Sequence, residues 1–204
     1  MNNNFYLKTG LIILAVLTLI ALTAPFISPF DPSAIDQNDL LSPPSVRHWF
    51  GTDSMGRDLL SRIIWGSRIS LTIGIIAVGI SVLLGLVMGS IAGFYGGYID
   101  ALIMRFADIM LCFPTFFLIL AVVAFLEPSI FNIMIIIGLT SWMGPARLIR
   151  GEILSLKERE FIQAAAAIGA SDCRIIARHL LPNAIGPVLV NATLGISAAI
   201  LLET

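Results

Sequence analysis

Long apolar runs separated by short polar segments dominate the chain. A helix rises 1.5 Å per residue, so crossing a hydrocarbon core of roughly 30 Å takes about 20 apolar residues. Five runs come near that length, and each predicts a membrane-spanning helix: residues 11–27, 71–94, 110–126, 128–142 and 185–202. The fourth run is the shortest, so its ends are the least certain. The pattern therefore predicts an all-α, polytopic transmembrane helical bundle.

The first run also has features of a secretory signal peptide. Lys8 precedes it, and Pro25 and Pro29 close it. However, the small-x-small cleavage pattern around residues 22–24 is poorly formed, and Pro25 would directly follow the cut. An uncleaved first span is the better interpretation.

Two polar stretches lie between the spans. Residues 28–68 begin with turn-forming residues and end in an amphipathic helix, whose apolar face holds Leu59, Leu60, Ile63 and Ile64. Such a helix is expected to lie along the outer membrane surface. Residues 1–70 are thus predicted to be a first span plus an external segment, and residues 71–204 a helical core.

The second polar stretch, residues 144–184, predicts short helices. Gly169 is expected to stop one helix, Ser171 or Asp172 to cap the next, and Pro182 to end it. A loop of this length with helices of its own is larger than a simple connection needs.

Composition agrees with a membrane protein, because 57% of the 204 residues are apolar and 12% are charged, against roughly 45–50% and about 25% in soluble domains. The net charge is −1, so nothing favours nucleic acid as a partner. With a cytoplasmic N-terminus, the loops carry eight Lys and Arg inside and four outside. The positive-inside rule favours this orientation.

Signatures of catalysis and of metal binding are missing from the sequence. There is no GxxxxGK[ST] phosphate loop, no HExxH zinc motif and no GxSxG nucleophile turn. Cys112 and Cys173 are far apart and are interpreted as free thiols, while His48 and His179 fall in different loops. We therefore expect no catalytic residue, no metal site and no ATP-binding motif on this chain.

The loop at residues 144–184 carries the most specific pattern. Glu160 begins a helical run in which Gln163, Ala164 and Ala165 are followed by Gly169, and His179, Leu181 and Pro182 come later. Alanine has the highest helix propensity, so a good helix is the simplest interpretation of the alanines alone. Their spacing from Gly169, Leu181 and Pro182, however, resembles the EAA loop of ABC-importer permeases.

Two departures from the general EAA pattern narrow the resemblance. Gln163 stands where the pattern has glutamate, and His179 stands where it has isoleucine; both are similar to the dipeptide/oligopeptide/nickel branch. The string His48 to Asp53, followed by Gly56-Arg57-Asp58, is similar to the external segment of that branch's "C" type permease. A structural turn with Thr52 or Asp53 as helix cap is its main predicted role, and contact with a solute-binding protein is a secondary hypothesis.

This resemblance implies a subunit of an importer with the MetI-like permease fold. It implies a sister permease subunit, two cytoplasmic ABC ATPases that use ATP and Mg²⁺, and an extracytoplasmic solute-binding protein. The segment from Gln163 to Gly169 would be a coupling helix seated on an ATPase. The bacterial inner membrane is the implied location. The resemblance also implies a sixth span after Thr204, so five of six spans are expected in this chain.

Three smaller features complete the prediction. Gly85, Gly89 and Gly93 form a small-residue ridge, which favours close helix packing within the subunit over contact with the sister permease. The spacing of Arg105 and Asp108 permits an ion pair on one helix, within a solvated or interfacial charge cluster that includes Asp100. This interpretation is favoured over a role of the cluster at the ATPase surface. Glu203, deep in the last span, marks either a translocation pathway or an ordinary helix interface.

Peptides are the favoured cargo, and nickel is the alternative within the same branch, because the loop motifs do not separate them. A membrane-embedded enzyme or an ion-coupled carrier would need ionisable groups inside the spans. Between residues 71 and 142 the acidic residues are Asp100, Asp108 and Glu127, all at or near predicted loops. Both of these classes are therefore disfavoured.

Overall fold

A computed structural model describes residues 3–126 and 129–203 of the chain. Glu127 and Pro128, the latter the predicted start of the fourth span, lie outside the described residues. The helices follow in this order: α1 (Asn3–Ile27), α2 (Leu59–Tyr95), α3 (Gly97–Leu111), α4 (Thr115–Val123), α5 (Ile130–Thr140), α6 (Met143–Lys157), α7 (Glu160–Ala167), α8 (Asp172–Arg174), a π-helical turn (Ile175–Leu180) and α9 (Leu181–Glu203).

Four helical stretches among the described residues are long and apolar enough to cross a membrane. They are Lys8–Ile27, Leu59–Tyr95, Ile130–Lys157 and Asp172–Leu202. Helices α3 and α4 together pass the same test but are bent by 82°. The prediction of an all-α transmembrane fold is confirmed.

The predicted third span, residues 110–126, is wrong as an uninterrupted helix. Helix α3 ends at Leu111, and α4 begins only at Thr115. Pro114 has ψ of 121° rather than a helical value, because proline lacks an N–H and its ring would collide with the carbonyl four residues earlier. The chain therefore turns here, and the third apolar run is divided between two helices, α3 and α4.

The predicted fourth span is longer than the sequence indicated. Helices α5 and α6 are separated only by Ser141 and Trp142, and the combined stretch runs from Ile130 to Lys157. Residues 144–157, expected to belong to a separate cytoplasmic loop, thus continue a span. Pro145 is compatible with this helix because it lies in the first turn of α6, where a backbone N–H has no intrahelical partner.

The helical stretch that begins at Asp172 was predicted to end at Pro182, and this prediction is wrong. Pro182 lies in the first turn of α9, which continues to Glu203. Pro187 also lies inside this helix. The π-helical turn immediately before Leu181 changes the spacing of the backbone hydrogen bonds, which relieves the collision that Pro182 would cause in a regular α-helix.

The chain divides into two compact units, Met1–Thr72 and Ile73–Thr204. In the second unit, helices α6, α7 and α9 and the π-helical turn share one apolar core. Its buried members are Ile149, Ile153, Ile162, Ala165, Ile175, Leu180, Ala184 and Val188. A smaller cluster joins α3 to α6 through Ala107, Trp142, Met143 and Ala146.

In the first unit, the predicted amphipathic helix is the beginning of α2 and not a separate element. Ile64 is buried, as its apolar face requires, but Ile63 is exposed and Ser61 is fully buried. Asp58, and not Thr52 or Asp53, caps the helix, since its carboxylate accepts a hydrogen bond from the Ser61 N–H at 2.8 Å.

Candidate functional site

Helix α7 has one face fixed to the protein and one face open. Ile162 and Ala165 are buried in the shared core of the second unit. Phe161, Ala164 and Ile168 face outwards, and Ile168 is 85% exposed. An eight-residue helix is too short to be stable alone in water, so the packing of its inner face holds the outer face in place.

Gly169 closes α7 with a left-handed backbone, φ of 82°. The Gly169 N–H donates to the Ala166 carbonyl at 3.0 Å, and the Ala170 N–H donates to the Ala165 carbonyl at 3.1 Å. These two bonds make a Schellman motif, in which glycine is favoured because other residues are strained at positive φ. The predicted helix stop at Gly169 therefore has a defined geometric basis.

An open groove runs beside the end of α7. It is lined by Phe161, Ala164, Ala165, Ile168, Gly169, Ala170, Arg174 and His179. Four of the predicted coupling residues, Ala164, Ala165, Gly169 and His179, thus come together on one surface. The lining holds apolar groups and two basic side chains but no carboxylate, which suits an apolar partner surface edged with negative charge.

The other predicted coupling residues lie outside the groove lining. Glu160 begins α7, and the Gln163 side chain donates to the Glu158 carbonyl at 3.3 Å. Leu181 and Pro182 begin α9. Their placement fixes the ends of the helices around the groove.

Sequence reasoning missed Phe161, Ile168 and Arg174 as members of this surface. The sequence contains a pattern that indicates them, because two large apolar residues flank the alanine-rich run and a basic residue follows the glycine that ends it. Exposed apolar side chains next to a basic group are typical of binding surfaces.

Ion pairs join α3 to α6. The Arg150 guanidinium contacts the Asp100 carboxylate through two bonds, Nε to Oδ1 at 2.5 Å and a terminal nitrogen to Oδ2 at 2.6 Å. Arg147 pairs with Asp108. The predicted pairing of Arg105 with Asp108 is thus wrong, because Asp108 reaches a different helix.

The glycine ridge of α2 faces α6. A Cβ atom at Gly85 would meet the Pro145 side chain, one at Gly89 would meet Ala146 and Ile149, and one at Gly93 would meet Arg150 and Ile153. Side chains other than hydrogen would force these helices apart. Glu203 is the last residue of α9, and its side chain lies outside the described part of the structure.

A small cavity of about 100 Å³ lies among α2, α5, α6 and α9 in the second unit. Its lining is mainly apolar, with Ser81, Ser141 and Asn191 as polar members. A cavity of this size holds a few water molecules at most and is too small for a peptide.

The segment between α1 and α2 in the first unit is organised by a buried His48–Asp58 pair. His48 Nδ1 lies 2.9 Å from Asp58 Oδ1, and the Ser61 hydroxyl donates to Asp58 Oδ2 at 2.7 Å. Burial acts to raise the pKa of Asp58, but hydrogen bonds from Ser61 and His48 outweigh it and lower the pKa overall. The Phe30 N–H donates to the Ser61 hydroxyl at 3.1 Å, which joins the start of the segment to α2.

Asp53 fixes the turn just before this pair. Its carboxylate accepts hydrogen bonds from the N–H groups of Met55 and Arg57 and contacts the Arg57 and Arg62 guanidinium groups. Partial burial acts to raise the pKa of Asp53, but the hydrogen bonds from Met55 and Arg57 and the charge of Arg57 lower it to about 2. A single hydrogen-bonded turn therefore joins the Gly-Thr-Asp and Gly-Arg-Asp strings.

No three His, Cys, Asp or Glu side chains come together in metal-binding geometry within residues 3–126 and 129–203. Cys112 and Cys173 are free and exposed.

Comparison with known protein families gives two matches. A family described as the binding-protein-dependent transport system inner membrane component matches residues 85–204. A second family, the N-terminal TM domain of oligopeptide transport permease C, matches residues 8–44. Between them, the two families cover most of α1 and the helices from the last third of α2 onwards.

Individual relatives give the same picture. The chain is 45% identical to a dipeptide transport system permease protein of Alkalihalophilus pseudofirmus, over 94% of the chain and 63% of that protein. It is 39% identical to an oligopeptide transport system permease protein of Bacillus subtilis, over 98% of the chain and 66% of that protein. A glutathione transport system permease protein of Escherichia coli is 41% identical over 95% of the chain and 64% of its own length. The chain thus spans a little under two thirds of the length of these relatives.

Proposed function

The chain belongs to the family of binding-protein-dependent transport system inner membrane components, and we propose that it is a membrane-spanning permease subunit of an ATP-driven importer of di- or oligopeptides. Its family and its apolar helices make it a multi-pass inner-membrane protein. The proposed orientation puts the N-terminus and α7 in the cytoplasm, as the distribution of Lys and Arg favours.

The exposed face of α7 carries the proposal of energy coupling. Its inner side chains, Ile162 and Ala165, are packed against the membrane helices, and its outer groove is apolar with Arg174 and His179 at the edge. Such a surface supports docking of a cytoplasmic ABC ATPase whose closure on ATP and Mg²⁺ would move α7. This chain itself would be non-catalytic, because the hydrolysis would belong to the ATPases.

The assembly we propose contains two such ATPases, a sister permease subunit and an extracytoplasmic solute-binding protein. The printed names of the relatives support peptides as cargo, since they are permeases for dipeptides, oligopeptides and glutathione. Nickel, the alternative within the same branch, is not favoured by these names.

Docking can be tested by substitution on opposite sides of α7. Ala164 and Ala166 are both exposed, but only Ala164 lines the groove. We expect Ala164→Trp to reduce both co-purification of the ATPases and peptide uptake about tenfold or more, because a bulky side chain at the centre of an interface prevents close packing. The matched control Ala166→Trp should retain both. Equal behaviour of the two variants would exclude this face as the docking surface.

Gly169→Asp should also impair coupling while the protein remains inserted, because it places a side chain at a positive φ. A bulky residue at Ala165 is a less specific test. Ala165 is buried, so the change would also disturb the packing of α7 against the core of the second unit. Normal uptake and normal ATPase recovery with Gly169→Asp would contradict the coupling role.

The cargo can be tested with the complete transporter reconstituted in proteoliposomes. We expect ATP-dependent uptake of a labelled dipeptide that unlabelled peptides inhibit and nickel ions do not. Uptake of radioactive nickel without peptide uptake would instead favour the nickel alternative.

A further inference from the structure

The buried residues at the base of α9 have an unusual spacing. Ile175, Leu180, Ala184 and Val188 all belong to the same core, and their separations are five, four and four residues. In a regular α-helix, residues five apart point about 140° away from each other at 3.6 residues per turn. Ile175 and Leu180 could not both face this core if the helix were regular throughout.

The backbone resolves this mismatch with the π-helical turn at Ile175–Leu180. The Leu181 N–H donates to the Ile176 carbonyl, five residues back, and not to the carbonyl four residues back. The added residue brings Ile175 and Leu180 onto one face. Both side chains are almost completely buried as a result, with 4% and 0% exposure.

The next residues hinder a return to regular α-helical bonding. Pro182 has no N–H to donate, and its ring would collide with the Arg178 carbonyl in a regular helix. The Asn183 side chain also donates to the His179 carbonyl at 2.6 Å. The missing N–H of Pro182 and the five-residue bonds of Ile175–Leu180 leave fewer α-helical backbone bonds here than in the rest of α9.

This turn lies between the proposed docking helix and a membrane span. Ile175 and Leu180 pack in one core with Ile162 and Ala165 of α7, while α9 continues directly from Leu181. The π-helical turn is therefore one direct route by which a displacement of α7 reaches α9, beside the shared contacts with α6. π-Helical turns occur frequently at functional sites.

We propose that Ile175–Leu180 is the joint at which movement of α7 changes the direction of α9. The proposal rests on the proposed coupling function of α7. The turn deforms when a backbone N–H exchanges the carbonyl five residues back for the carbonyl four residues back. α9 can then bend or rotate at its base while the core contacts of Ile175 and Leu180 are kept. A regular helix at this position would transmit the movement poorly.

The test is to make the helix regular without losing its apolar face. Deleting Ala177, which is exposed, reduces the separation of Ile175 and Leu180 to four residues, and adding Pro182→Ala restores the missing N–H. Both core side chains then remain on one face of an α-helix. The matched control Ala177→Leu keeps the chain length and places a larger side chain at the same exposed position.

The measurement is peptide uptake per ATP hydrolysed by the complete reconstituted transporter. We expect the variant with the deletion and Pro182→Ala to bind the ATPases and hydrolyse ATP, but to move about tenfold less peptide per ATP, in the range of typical coupling energies. Ala177→Leu should behave like the unmodified protein. If the amount of peptide moved per ATP stays within about twofold of that of the unmodified protein, Ile175–Leu180 is not such a joint. Loss of the ATPases would also overturn the proposal, because the turn would then serve only to hold the docking surface.

Pro182→Ala alone provides a milder test if the deletion variant does not insert. It keeps the chain length and permits a regular bond, so we expect a smaller but measurable fall in uptake per ATP, and an unchanged ratio would overturn the proposal. The variants at Ala164 and Ala166 belong in the same experiment. If Ala164→Trp has no effect, the proposed coupling function of α7 is wrong. If Ala164→Trp acts as expected but the regular-helix variants transport peptide normally, only the proposed role of Ile175–Leu180 is wrong.

Discussion

Asp53 shows how a single side chain organises the segment between α1 and α2. Its carboxylate accepts bonds from two backbone N–H groups, those of Met55 and Arg57, at 2.8 and 3.0 Å. Gly56, between these donors, has φ of 76°, and a Cβ there would overlap the Asp36 backbone. Charge and glycine together hold the turn before α2 in one conformation.

This turn is expected to open in acid. Folding lowers the pKa of Asp53 from an ordinary value of 3.8 to about 2. A carboxyl whose pKa is lowered by folding stabilises the folded state above its unfolded pKa, and that contribution is lost as the pH falls through the folded value. Amide hydrogen exchange should therefore show falling protection for residues 51–58 between about pH 4 and pH 2, after correction for intrinsic exchange.

Asp53→Asn tests whether this carboxylate is responsible. The variant should already have low protection of residues 51–58 at neutral pH, and its further loss in acid should be smaller. Asp31→Asn is the matched control, because Asp31 also has a lowered pKa but bonds to Ser33 in a different turn. If Asp53→Asn keeps the protection and pH response of the unmodified protein, the assigned role is incorrect.

At this scale the sequence predicted that a cap was present but not which residue supplies it. Thr52, Asp53 and Asp58 all have suitable side chains. Asp58 caps α2, while Asp53 bonds within the preceding turn. The choice depends on His48, which pairs with Asp58 from ten positions away, and local sequence rules do not include contacts at that distance.

At the scale of helices, the close approach of α2 and α6 depends on glycine. A Cβ atom at Gly89 would lie against the Ala146 carbonyl and 2.9 Å from Ile149 Cβ. We expect Gly89→Ala to destabilise the isolated subunit by about 1–3 kcal/mol, the usual cost of overpacking. Thermal unfolding of the purified subunit in detergent measures this change.

Gly79→Ala is the matched control, because Gly79 lies in the same helix and has open space at the position of a Cβ. That substitution should leave stability unchanged or raise it slightly, since alanine favours helix. If Gly89→Ala leaves the isolated subunit unchanged but weakens the assembled transporter, the ridge is used for the sister permease and not for α6.

Prolines account for most of the difference between predicted and observed helices. Pro114 interrupts a predicted span, whereas Pro145, Pro182 and Pro187 lie within helices. The outcome depends on whether the missing hydrogen bond falls in a first turn, at a π-helical turn or in the helix interior. Apolar periodicity indicates where a helix is needed, but it does not show which of these solutions the backbone adopts.

For the whole molecule, the apolar runs predicted most of the membrane-spanning helices, because lipid requires every backbone polar group to be bonded within the helix. The partners of the charged groups were less predictable. Asp100 and Asp108 lie close to Arg105 in sequence, yet they pair with Arg150 and Arg147 of α6. Such pairs depend on how helices pack, and spacing along one helix does not determine it.

Exposed thiols can test the predicted orientation of the chain in the membrane. Val46 is 97% exposed in the segment predicted to be external, and native Cys173 is exposed in α8. In a Cys112→Ser background and in sealed cells, a membrane-impermeant maleimide should label the thiol introduced by Val46→Cys but not Cys173. Permeabilised cells are the control and should label both. The excess of Lys and Arg on the side of α7 is the physical reason, and labelling of Cys173 alone in sealed cells would reverse the proposed topology.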